Sequence, residues 1–198
     1  IYIGAMANEG TIEATAGGAV SLSQGSNSGL LRVAGGTMVI AAPWVNTGTL
    51  EIDGGALTLI GTVDTNIPMD FGPGGGTFTV SGTVENAGRT LGANGPGTLV
   101  LANGTTVRGG TIANTGGAGL VMSGPPSGGS WTLDGVTLAT DLTVPTLANL
   151  VVINGLTLAD ARLTATNTAN FNTRIRFIGT QTLGGTGEVF FADISANS

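Results

Sequence analysis

The chain has 198 residues, of which 36 are Gly, 41% hydrophobic and 9% charged, with six Arg against twelve Asp and Glu and no Lys, His or Cys. Without Cys there is no disulfide framework, no thiolate nucleophile and no Cys-ligated metal, and without His there is no Ser-His-Asp triad, imidazole base or His ligand. A net charge of −6 leaves no concentrated positive face for a phosphate backbone, which excludes nucleic acid as a partner. The hydrophobic fraction and positive mean hydropathy oppose the disorder that so much Gly otherwise suggests. No apolar run approaches the roughly 20 residues of a membrane-spanning helix, so membrane insertion by this segment is not expected. The opening IYIGAMANEG is neither a signal peptide nor an initiating Met, and the chain reads as a piece of a longer repetitive protein.

One short phrase recurs along the chain. It opens on Asn8, Asn27, Asn46, Asn66 and Asn86, at spacings of 19, 19, 20 and 20. Its second half ends on Leu22, Ile40, Leu59, Val80, Leu101, Met122, Leu138 and Leu158, at spacings of 18, 19, 21, 21, 21, 16 and 20. Inside each unit the apolar positions alternate, as strands require. Ile12/Ala14 is followed by Val20/Leu22, then Leu31/Val33 by Met38/Ile40, and Leu50/Ile52 by Leu57/Leu59. Phe78/Val80, Leu99/Leu101, Leu120/Met122, Val136/Leu138 and Leu156/Leu158 continue the inward row. Gly-Gly, Asn-Gly and Asp-Gly pairs separate the strands, where positive φ is cheap only for Gly and Asn. The expectation is an all-β chain, a right-handed parallel β-helix (β-solenoid) of about nine coils of roughly 20 residues, forming one domain over 1–198. The recurrent Asn is expected to form an internal ladder that satisfies the polar groups of a buried corner.

Two stretches break the phrase. NIPMDFGPGGG (66–76) and SGPPSGGS (123–130) carry two Pro each and read as loops bulging from the stack. Trp131 falls at an inward phase and is assigned to the core. Trp44, after Pro43, falls at a corner and is expected to be half exposed.

Candidate chemistry is sparse. Glu13, Arg32 and Glu51 occupy equivalent outward positions on successive coils, where alternating charges form a surface ladder of little energetic value. Asp64 and Glu85 align one coil apart with no third acid or Arg placed beside them; they either share a cation or a proton or splay into water. Asp134, Asp141 and Asp160 fall near corners, and Asp134-Gly135 is turn chemistry. GPGGG and GGTG resemble phosphate loops only in their glycines. No residue is assigned a catalytic, cofactor-binding or metal-binding role. The outward positions Ala19/Ser21, Thr37/Val39, Ala56/Thr58, Thr77/Thr79, Thr98/Val100, Gly119/Val121, Gly135/Thr137 and Gly155/Thr157 hold no charge and nothing larger than Val. Such a flat face suits lateral packing; ice binding is a lesser reading, because only Thr77/Thr79 keeps a Thr-x-Thr motif.

NTGTLEIDGGALTLIGT (46–62), GTLVLANGTTVRGGTIANTGG (97–117) and WTLDGVTLATDLTV (131–144) resemble the repeat regions of large bacterial surface proteins, the autotransporter passengers and filamentous-haemagglutinin-like adhesins. The resemblance implies a right-handed β-helix, secretion to the cell surface, and a stalk, adhesive or matrix role. It carries no catalytic residues to transfer. The function expected is a non-catalytic structural or adhesive module that self-associates or meets neighbouring coils of a parent protein. A cell-surface glycan or host receptor is a further partner class. The alternative is a carbohydrate-active or glycan-binding β-helix of the polysaccharide-lyase or phage-tailspike kind, which needs acids and aromatics clustered in a groove.

Overall fold

The computed structural model describes residues 1–65, 68–125, 128–167 and 172–193, apart from the side chains of Asp64, Thr65, Pro68 and Asp193. Twenty-two strands and no helix are found among the described residues. Every ladder between these strands is parallel. The chain is a parallel β-solenoid whose turns each contribute a short strand to three sheets.

The first sheet starts at Tyr2–Ile3 and runs through the N-terminal parts of Ala19–Asn27, Thr37–Asn46, Gly55–Thr65 and Gly76–Glu85 to Thr98–Ala102 and Gly119–Ser123. The second takes Met6–Asn8, the C-terminal parts of the same long strands, Thr106–Arg108, the first parts of Ser130–Leu138 and Asn149–Leu158, and Arg174–Phe177. The third takes Thr11–Thr15, Leu30–Ala34, Thr49–Asp53, Pro68–Phe71, Thr90–Asn94 and Thr111–Ile112, then the ends of Ser130–Leu138 and Asn149–Leu158, and Leu183–Gly185.

Period-two sequence dictates which side chains meet. Leu22, Ile40, Leu59, Val80, Leu101 and Met122 stand in one column, and all are buried. Leu31, Leu50 and Ile52 are buried likewise on the third sheet. Rungs about 4.8 Å apart let each inward side chain rest on the one below it. Where a column must accept a bulky residue, Gly makes room: a Cβ at Gly25 would lie 1.9 Å from Met6 O and 2.9 Å from the Trp44 ring. That is how Trp44, expected to be half exposed, comes to lie in the core at 3% exposure. Trp131 is in the core as expected, and its Nε1 donates to Leu101 O at 2.9 Å.

Three further expectations are corrected. The winding completes about eight turns rather than nine, because several of the later coils are longer than the recurrent length. Thr11 pairs with Leu30 near the start, whereas Thr106 must reach as far as Thr132 to meet its partner. The lengthening also moves the apolar row from one sheet to another: Leu138 pairs with Ile112 on the third sheet and does not continue the Met122 column. The unusually short step between Met122 and Leu138 is therefore a change of face. The outward pairs Gly135/Thr137 and Gly155/Thr157 accordingly lie on a different face from the preceding six. Finally, the stretch expected as a loop at 66–76 contains the strand Pro68–Phe71, with Met69 and Phe71 buried.

The Asn ladder exists over three rungs. Asn8 Nδ2 donates to Asn27 Oδ1 at 2.6 Å and Asn27 Nδ2 to Asn46 Oδ1 at 2.7 Å. Asn27 and Asn46 each also reach the carbonyl two positions on, Gly29 at 3.2 Å and Gly48 at 3.0 Å. The ladder stops there because the register sets Thr65 opposite Asn46; Asn66 lies outside the described residues. Asn86 is buried and caps a corner by itself, donating to Gly109 O and Thr111 O at 3.2 and 3.1 Å. Asn27→Ala leaves Asn46 Oδ1 without its donor, whereas Asn8 Nδ2 keeps Gly10 O and Leu30 O, both at 3.2 Å. An unmet buried acceptor costs about 1–3 kcal/mol, so urea denaturation should show a loss of about 2 kcal/mol, against little change for the surface control Thr58→Ala.

Candidate functional site

The charged residues are dealt out singly along outward columns. Arg32 stands between Glu13 and Glu51 in register, with Nη1 at 3.2 Å from Glu13 Oε1 and Nη2 at 3.9 Å from Asp53 Oδ2. Arg32 Nε is 3.4 Å from Glu51 Oε1, near enough for attraction but not aligned as a hydrogen bond. The expected ladder of Glu13, Arg32 and Glu51 is present, on side chains about a third exposed.

Asp64 and Glu85 are in register, as expected. The next rung, however, puts Arg108 directly opposite Glu85. Arg108 Nη1 lies 2.7 Å from Glu85 Oε1, and Nε lies 3.9 Å from Asp134 Oδ2. The sequence reading placed no Arg there because Glu85 and Arg108 are further apart along the chain than the recurrent phase allows. Glu85 thus has a cation from its own chain. The Asp64 side chain lies outside the described residues.

The three corner aspartates bind their own neighbours. Asp134 Oδ1 accepts from Asn154 Nδ2 at 2.6 Å. Asp141 Oδ1 accepts from the Arg162 N–H at 2.8 Å. Asp160 Oδ1 accepts from Thr186 Oγ1 at 2.6 Å. Arg162 in turn lies 2.7 Å from Glu188 and 4.0 Å from the centre of the Phe190 ring. Asp141, Asp160 and Glu188 border one open depression, yet each is held by a hydrogen bond or ion pair to an adjacent turn. Among the described residues no three Asp or Glu converge as metal ligands would.

A larger opening lies elsewhere, where the first sheet is interrupted. Among the described residues, Gly119–Ser123 forms a ladder only with Thr98–Ala102. The next strands at that position in chain order, Leu142–Val144, Arg162–Asn167 and Glu188–Asp193, form a separate three-stranded sheet. Among the described residues no ladder joins Gly119–Ser123 to Leu142–Val144. Between them is a cleft of about 510 Å³, with Met122, Pro125 and Trp131 on one side and Thr143, Pro145 and Thr166 on the other. None of the described residues lining it is charged. It sits beside the SGPPSGGS stretch, where the sequence signals a departure from the stack. The sequence did not signal the break in the sheet itself, because Leu142 and Val144 keep the inward alternation and are buried.

An outward ladder screened by water contributes at most about 1 kcal/mol. Arg32→Gln should therefore lower stability by less than about 1 kcal/mol, with the difference vanishing in molar salt, when followed by urea denaturation. A larger, salt-resistant loss would give this ladder a weight the geometry does not support.

Comparison with protein-family models, with curated protein sequences and with solved structures gave no match.

Proposed function

We propose that this chain is a non-catalytic structural module of an extracellular, cell-surface bacterial protein: a stiff rod that holds adhesive or matrix-forming parts at a distance and stacks end to end. The observation that carries the reading is the disposition of the acids. The ion-paired carboxylates and the corner aspartates are committed to neighbouring turns, and no described residue lining the large cleft is charged. Hydrolysis of a glycosidic bond needs two carboxyl groups facing each other across a substrate, an arrangement these ladders do not favour.

The last turn supports the stacking part. Phe177 occupies the inward column of Val152, Leu183 that of Leu156, and Phe191 that of Ala165. Their partners on the preceding turn are buried, yet Phe177 is 40% and Phe191 63% exposed. At the other end Ile1 is also exposed. Inward side chains left bare suit another turn of the same winding, and an open parallel edge is a template for more strands.

In analytical ultracentrifugation the full chain should form particles larger than a monomer, and Phe177→Asp with Phe191→Asp should return it to monomers. Electron micrographs of the unaltered chain should show rods lengthening end to end. Reducing-sugar assays on bacterial and host polysaccharides should show no release. Sugar release, or rods that persist in the double variant, would contradict the proposal.

A further inference from the structure

We propose that Asn154-Gly155 is a site of spontaneous covalent modification, at which Asn154 deamidates through a succinimide, and that the Gln181 side chain of the last described turn holds the reaction back. Three Asn-Gly pairs occur, at 94–95, 103–104 and 154–155. Such a pair is chemically primed, because glycine has no Cβ to keep its main-chain nitrogen away from the preceding side chain. In the reaction the Gly155 nitrogen attacks Asn154 Cγ. The N–Cγ bond forms, the Cγ–Nδ2 bond breaks, and ammonia leaves with the proton that the Gly155 N–H gives up. Water then opens the ring at either carbonyl, giving aspartate or isoaspartate, and no oxidant or reductant is needed. A nitrogen whose N–H is donating to an acceptor must lose that bond before it can attack.

What holds each glycine N–H separates the three pairs. Gly95 N–H donates to Thr115 O at 3.1 Å and Gly104 N–H to Ser130 O at 2.8 Å, both main-chain acceptors. Gly155 N–H donates instead to a side chain, Gln181 Oε1, at 2.9 Å. The asparagine side chains differ as well. Asn94 Oδ1 accepts from Thr115 Oγ1 at 3.0 Å while its Nδ2 donates to Asp70 Oδ1 at 3.3 Å, and Asn103 Oδ1 accepts from the Ser130 N–H at 2.8 Å. Asn154 is exposed, has a left-handed φ of 57°, and is tied through Nδ2 to Asp134 Oδ1 at 2.6 Å. Gln181 lies at the corner between Arg174–Phe177 and Leu183–Gly185, where pairing with Asn149–Leu158 is interrupted between Val152 and Leu156. Its Nε2 donates to Val152 O and to Ile178 O, each at 2.9 Å, so one amide plugs the gap. The plug belongs to the turn whose Phe177 and Leu183 are exposed, and a turn packed on one side opens more often than those inside the stack. Each opening releases the Gly155 N–H, whereas Thr115 and Ser130 stay within earlier turns. The product alters the stack: a carboxylate at 154 meets Asp134 as a like charge, and the isoaspartyl form lengthens the main chain of Asn149–Leu158 between its two neighbours.

Peptide mass spectrometry on the whole chain, aged at mildly alkaline pH, reads the conversion of each amide to a carboxylate. Dividing each rate by its value in urea removes the effect of local sequence. On that scale Asn154 should react at least about threefold faster than Asn94 and Asn103, the factor expected of a weaker hold on one N–H. Gln181→Met keeps the length of the side chain and removes the acceptor. Loss of one hydrogen bond corresponds to about two- to tenfold, so Asn154 should accelerate by that factor while Asn94 and Asn103 keep their rates. If that variant does not fold, the order of the three rates in the unaltered chain decides alone. Asn154 reacting no faster than the other two, or a rate at Asn154 unmoved by Gln181→Met, would overturn the inference.

Discussion

A single turn of this chain cannot hide its own apolar row. Each turn presents a few inward Leu, Ile, Val or Phe side chains, and these stay wet until another turn lies on them in register. The ordering cost of the turn, on the order of 1–2 kcal/mol per residue in backbone entropy, is recovered only through that stacking. The demand accounts for the repetition of the sequence and for the parallel ladders. It also accounts for the bare aromatics of the last turn, which are ordinary inward residues with no further turn described above them.

The same constraint disposes of the charges. An outward side chain has its nearest neighbours one turn above and one below, about 4.8 Å away along the sheet. Charges in such a column meet their partners along the axis, as Glu13, Arg32 and Glu51 do, and as Glu85, Arg108 and Asp134 do. A column is a poor way to build a site, because it spreads acids along a flat wall instead of bringing them across a groove. The large cleft arises where the stacking lapses, between Gly119–Ser123 and Leu142–Val144, and there the described walls are made of neutral side chains and strand edges.

The fold class was legible because alternation and period both survive loose spelling. Leu22, Ile40, Leu59, Val80, Leu101 and Met122 read as one column and form one. Legibility failed where coil length changed. Where a coil exceeds the recurrent length, counting by that length no longer identifies neighbours, so the pattern does not bring Arg108 beside Glu85, and it assigns Leu138 to the wrong sheet. Trp44 was misplaced for a different reason. Its burial depends on the space left by Gly25, a contact across turns that the Pro43-Trp44 dipeptide does not reveal. The cleft lay beside a stretch already marked by its prolines, but the missing ladder depends on pairing, which no local pattern encodes.

The in-register stack predicts a distance ladder that spin labels can read, and the absence of native Cys leaves the labels unambiguous. Ser21, Val39, Thr58, Thr79, Val100 and Val121 occupy one outward column. With one label at position 21 and the second at 79, 100 or 121, pulsed electron paramagnetic resonance should give separations rising evenly, about 14, 19 and 24 Å for three, four and five rungs. Distances that fail to rise in order, or that place 121 nearer to 21 than 79 is, would contradict the stacked winding.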